Sequence, residues 1–115
     1  MFVNVVEKMC EIEVPRKASY IRVLVAELQR ISSHLVALGT YGLDLGGALG
    51  GGASLFLYCF REREKILDIM EELTGTRFHT NINQIGGVRY DLKPELVVKI
   101  HDLISYLRPL LLEYD

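Results

Sequence analysis

Asp44 sits in the apolar run "GLDLGG", and a carboxylate in such a setting must find a partner or take up a proton. It either caps a turn or handles protons. His79 follows Arg77 in "TGTRFH", on what reads as the polar face of a short strand, where a structural imidazole competes with a functional one. His34 lies one helical turn after Arg30 and two after Glu27, close to an apolar stripe, and reads as a packed, hydrogen-bonded histidine. His101 reads as a surface residue of the last helix. These histidines show no HExxH or other metal-ligand spacing, and no Ser-His-Asp arrangement is visible. Cys10 and Cys59 stand far apart without a CxxC, so buried free thiols in a reducing, cytoplasmic setting are expected.

The glycines of "LDLGGALGGGASLFLYCFRERE" invite a phosphate-cradle reading, which fails. A Walker-type loop needs GK[ST] so that a lysine reaches the phosphates, and here Gly52 is followed by Ala53-Ser54. No GxGxxG register fits. The run reads as a flexible connection between antiparallel helices, or as a close approach of backbone to a ligand. The charges Arg61, Glu62, Arg63 and Glu64 pose a separate problem, because four successive helical residues sweep about 300°. Either the helix leaves the core at Arg61, or some of these charges are buried and paired, ideally as an Arg–carboxylate fork.

The elements that must position these residues follow from periodicity. Phe2, Val5, Val6, Met9 and Ile12 give a helix over about 2–12. Pro15 suits the first turn of a second helix, over about 15–40, whose stripe is Ile21, Leu24, Leu28, Ile31, Leu35 and Leu38 and whose stop is Gly39 or Gly42. Ser54 is the expected N-cap of a helix over about 54–74, closed by Gly75. Phe78, Thr80, Ile82 and Gln84 alternate with polar residues, which predicts a short β element over about 77–90 with Gly86-Gly87 as its turn. Pro94 opens a last helix to about 113, with Leu96, Ile100, Leu103, Leu107 and Leu110 on one face. The 115 residues suit one modest domain or a piece of a larger one, and half are hydrophobic. A net charge of −2 gives no footprint for nucleic acid. No apolar run approaches a membrane span and no signal peptide is evident. Helical periodicity runs to both ends, so a central piece of a larger protein is expected.

The stretches "VPRKASYIRVLVAELQRISSHLVALGTYGLDLGG", "FREREKILDIMEELTGTRFH" and "IGGVRYDL", in that order, resemble the 49-kDa-type (D-type) subunit of NADH:quinone oxidoreductase, respiratory complex I. That family shares its fold with the large subunit of nickel–iron hydrogenases. The resemblance implies a mainly α fold of antiparallel helices with a short β hairpin. It implies that electrons pass from a terminal [4Fe–4S] cluster, held by a neighbouring subunit, to quinone. Asp44 matches the family's acidic residue that pairs with a quinone-site histidine lying outside this sequence. Thr40, Leu43 and Phe56 match positions lining or adjoining the quinone cavity. His79 matches the histidine beside the cluster, and His34 a histidine with a packing role. Asp44 and His79 are expected to border one cavity wall. The chain itself is expected to hold no metal or cofactor, to have no activity alone, and to self-associate or pair with other subunits. The complex would lie peripherally on the cytoplasmic side of the cell membrane. Where the family runs directly from "LDLGA" to "TPFFYAFRERE", this chain carries the surplus "GALGG", with Ser54 and Leu55 at the family's Thr-Pro. Two rivals are a large-subunit piece of a membrane-bound nickel–iron hydrogenase, whose paired CxxC motifs would fall outside this window, and a non-enzymatic helical interaction module.

Overall fold

The computed structural model describes residues 2–49 and 52–113. Its elements run α1 (Phe2–Met9), α2 (Arg16–Leu49), α3 (Gly52–Thr74), β1 (Asn83–Gln84), β2 (Gly87–Val88) and α4 (Pro94–Glu113). The chain is mainly helical with one small antiparallel sheet, the class the resemblance implies. None of the described helices is long and apolar enough to cross a membrane.

The long pair α2–α3 is the frame. The helices run antiparallel, with Gly42 against Leu55, and Gly39 against Phe56 and Cys59. Neither glycine stops α2, which continues to Leu49, well past the expected end near residue 40. Their role is contact. A Cβ on Gly42 would lie 2.6 Å from Leu55 Cδ2 and 3.3 Å from Leu55 Cβ. Close packing on α3 thus overrides the roughly 1 kcal/mol per residue that glycine costs a helix. Gly42→Val should destabilise the chain by about 2 kcal/mol through overpacking, read as a lowered urea midpoint. The expected flexible connection falls partly on Gly50-Gly51, outside the described residues. Helix α3 begins at Gly52, so Ser54 lies inside its first turn and is not the N-cap.

The core forms where three helices meet. Ile21, Val25, Leu28 and Leu35 of α2 face Ile66, Ile69, Met70 and Leu73 of α3, and α4 adds Leu96, Ile100, Leu103 and Leu107. Two members of the expected α2 stripe depart from it. Ile31 and Leu38 are exposed and, with His34, wall a groove of about 310 Å³ against Ile104 and Leu107 of α4. His34 is therefore an exposed rim residue and not a packed one. Cys59 is fully buried as expected, but Cys10 is exposed. Burial first, and then the charge of Glu62, push the Cys59 thiol above its ordinary pKa, which keeps it unreactive.

Helix α1 inverts its own pattern. Phe2, Val5 and Met9 point outward, whereas Glu7 is 5% exposed. The reason is a fork: Arg22 donates through both terminal nitrogens to Glu7, at 2.8 and 2.7 Å. The helix ends at Met9, short of the expected residue 12. Ile12 N–H bonds back to the Glu7 carbonyl at 2.9 Å, and Glu11 takes the left-handed conformation (φ 54) that closes such a cap. The β element is shorter than the alternation predicts, with only Asn83–Gln84 and Gly87–Val88 paired. Its register makes Ile85-Gly86 the turn, one residue before the expected pair, with Gly86 at φ 87. Arg22 reaches the Gln84 and Gly87 carbonyls at 2.9 and 2.7 Å, and Gly86 N–H donates to Glu7 at 2.8 Å. A single ion pair therefore clips the hairpin to both α1 and α2.

Candidate functional site

Thr40, Leu43 and Asp44 fall at i, i+3 and i+4 of α2 and so share one helix face. All three are exposed, Leu43 by 42%. The Thr40 hydroxyl is turned back on the helix, donating to the Val36 and Ala37 carbonyls at 2.9 and 3.0 Å. Asp44 lies within helical backbone, so turn capping is not its role, and among the described residues no donor reaches its carboxylate. Phe56 of α3 is half-buried against Gly39, with its ring 4.2 Å from that of Phe60. The Thr40–Leu43–Asp44 face carries one carboxylate with no donor among the described residues, whereas Phe56 packs on the other side of α2, against Gly39.

His79 lies toward the other end. It is exposed and adopts a left-handed backbone (φ 55), unusual for a residue with a side chain. It borders a cavity of about 150 Å³ with Ser32 and Ser33 of α2 and Met70 of α3. Asp44 is eleven residues beyond Ser33 on the same helix, about 16 Å along its axis. The described residues do not bring Asp44 and His79 to one cavity. They set Asp44 on α2 and His79 in the loop that follows α3, at separate places along the helix pair.

The "RERE" charges resolve in a divided way. Glu62 is fully buried, accepting from Arg61 Nε at 2.6 Å and from the Tyr106 hydroxyl of α4 at 3.0 Å. Arg61 and Glu64 face outward, and Arg63 is half-buried with its guanidinium near the rings of Phe60 and Phe78. Glu64 serves Arg77, whose guanidinium also meets Asp68 at 2.8 Å and Glu71 at 3.1 Å. These carboxylates hold the Arg77 guanidinium above its already high ordinary pKa. Sequence reasoning missed both this clamp and the Glu7–Arg22 fork. A glutamate inside the apolar period of α1 was the available signal for the fork. The spacing of Glu64, Asp68 and Glu71 at i, i+4 and i+7 was the signal for the clamp. Among the described residues no three His, Cys, Asp or Glu converge as a metal site.

The architecture belongs to the mainly helical class with a small antiparallel hairpin. Residues 50–115 match the sequence profile of the family described as "Respiratory-chain NADH dehydrogenase, 49 Kd subunit". The D-type NADH-quinone oxidoreductase subunit of Desulforamulus reducens is 43% identical over 99% of this chain and 30% of its own length. Its counterpart in Chlorobium chlorochromatii is 47% identical over 90% of the chain and 25% of its own length. A C/D-type NADH-quinone oxidoreductase subunit from a Sulfurihydrogenibium species is 50% identical over 99% of the chain and 19% of its own length. The chain belongs to the 49-kDa subunit family of respiratory-chain NADH dehydrogenase, and it spans less than a third of these relatives.

Proposed function

We propose that this chain forms part of the quinone-side wall of a complex I-like NADH:quinone oxidoreductase. The observation that carries the reading is one helix face holding Thr40, Leu43 and Asp44, within a sequence 43% identical to a relative named as a D-type subunit of NADH-quinone oxidoreductase. Quinone reduction consumes electrons and protons together, so a wall that is apolar with a single proton-handling group suits it. Leu43 and Phe56 would flank the ring, and Thr40 would edge it. Asp44 would hold a charged imidazole partner from elsewhere in the subunit, stabilising its protonated form, and hand on a proton as quinone is reduced.

An iron–sulfur cluster held by a neighbouring subunit would supply the electrons. His79, exposed and fixed at a surface station of its own, suits an imidazole presented to that cluster rather than bonded to it. An imidazole placed there would link the charge on such a cluster to a proton, because added negative charge favours the charged ring. The chain alone turns nothing over, and the complex lies peripherally on the cytoplasmic face of the membrane through its partners. Membranes lacking this chain are expected to lose NADH-linked quinone reduction and to regain it on re-expression. Unchanged NADH-linked turnover would contradict the reading, and loss of hydrogen-linked turnover instead would favour the hydrogenase rival.

A further inference from the structure

His79 holds a left-handed backbone without being glycine, whereas Gly75, four residues earlier, adopts φ 77 freely. Something must keep His79 there, since an L side chain in this region crowds its own carbonyl. The residues on either side are tied to different helices. Two positions before it, Arg77 donates to Asp68 at 2.8 Å and Glu71 at 3.1 Å, and also to Glu64, all on α3. One position after it, the Thr80 hydroxyl accepts from the Gln29 amide of α2 at 2.9 Å. Phe78, between them, has its ring 5.1 Å from the Arg63 guanidinium. The segment is pinned to both helices, and the imidazole faces outward.

We propose that Arg77 and Gln29 are positioning residues that hold His79 in its left-handed conformation and so aim its imidazole at the redox partner. The inference rests on the reading that His79 stands beside a cluster in a neighbouring subunit. Arg77 suits the task because its planar fork engages several carboxylates at once, which a lysine cannot copy. The charged groups around His79 are Arg77 with Glu64, Asp68 and Glu71, and Arg63, all within the α3 side of the clamp. The polar ones from α2 are Gln29, Ser32 and Ser33.

The test uses the assembled oxidoreductase carrying His79→Ala, Arg77→Ala, Arg77→Lys or Gln29→Ala. Two quantities are read: amide hydrogen exchange over residues 78–81, and the pH dependence of the cluster midpoint potential by spectroscopic redox titration. Arg77→Ala and Gln29→Ala are expected to speed exchange at least tenfold and to flatten the pH dependence toward that of His79→Ala, with Arg77→Lys between. Gln29 is exposed, so its variant keeps the test open if Arg77→Ala misfolds. Wild-type exchange in both variants overturns the clamp. Faster exchange with a wild-type pH dependence overturns the positioning role. If His79→Ala itself leaves the potential untouched, the reading of His79 has failed, and the clamp is then decided by exchange alone.

Discussion

Asp44→Asn in the assembled enzyme is expected to slow NADH-linked quinone reduction by about a hundredfold, the low end of what a positioned acid–base group typically contributes. The amide keeps the shape of the carboxylate but cannot take up and release a proton, nor stabilise a charged imidazole beside it. Asp44 is exposed on a continuous helix, so the substitution should change stability by less than about 0.5 kcal/mol and leave assembly intact. Electron delivery to a soluble artificial acceptor that draws from the complex before quinone should be unchanged. Asp44→Glu, which keeps the proton but moves it by a methylene, should fall between. Equal loss with both acceptors would instead indicate a damaged complex.

Arg22→Ala is expected to be the most damaging single charge removal for the fold. The residue satisfies Glu7 and two hairpin carbonyls together, so its loss strands a buried carboxylate and frees α1 and the hairpin at once. The drop in urea midpoint should be several times that of Lys17→Ala, which breaks the exposed pair to Asp91. The pH profile carries a second signature. The Arg22 fork, aided by the Gly86 amide and opposed by burial, lowers the Glu7 carboxyl from an ordinary 4.5 to about 2. A carboxyl lowered on folding adds stability above its unfolded pKa, and that contribution is lost as pH falls from about 4.5 through about 2. Glu7→Gln should flatten the stability profile across that window, measured by chemical unfolding at fixed pH steps.

The helices were legible because their apolar residues recur with the helical period, and the core members Ile21, Leu28, Leu35, Leu96, Ile100, Leu103 and Leu107 sit where that period puts them. The boundaries were not. Gly39 and Gly42 carry the local chemistry of a helix end, but a neighbouring helix presses Leu55, Phe56 and Cys59 against their bare backbone and keeps the helix going. The same lesson holds for α1, where the fork to Arg22 buries Glu7 and leaves Phe2, Val5 and Met9 outside. Long-range pairing decided what periodicity could not. The candidate site residues were singled out chiefly through the motif resemblance. Spacing does place Thr40, Leu43 and Asp44 on one face, but nothing in the spacing of His79 announces its left-handed backbone. Its separation from Asp44 becomes clear only once α2 is known to run unbroken to Leu49.

Whether the Thr40–Leu43–Asp44 face and Phe56 border quinone decides the function proposed for this chain. The most direct measurement is photolabelling of the assembled complex with an azido-quinone, followed by peptide mapping. Label on the peptides carrying Thr40 to Asp44 and Phe56, displaced by excess unlabelled quinone, is the expected result. Displaceable label confined to α4 or to other subunits, with this helix face untouched, would contradict it.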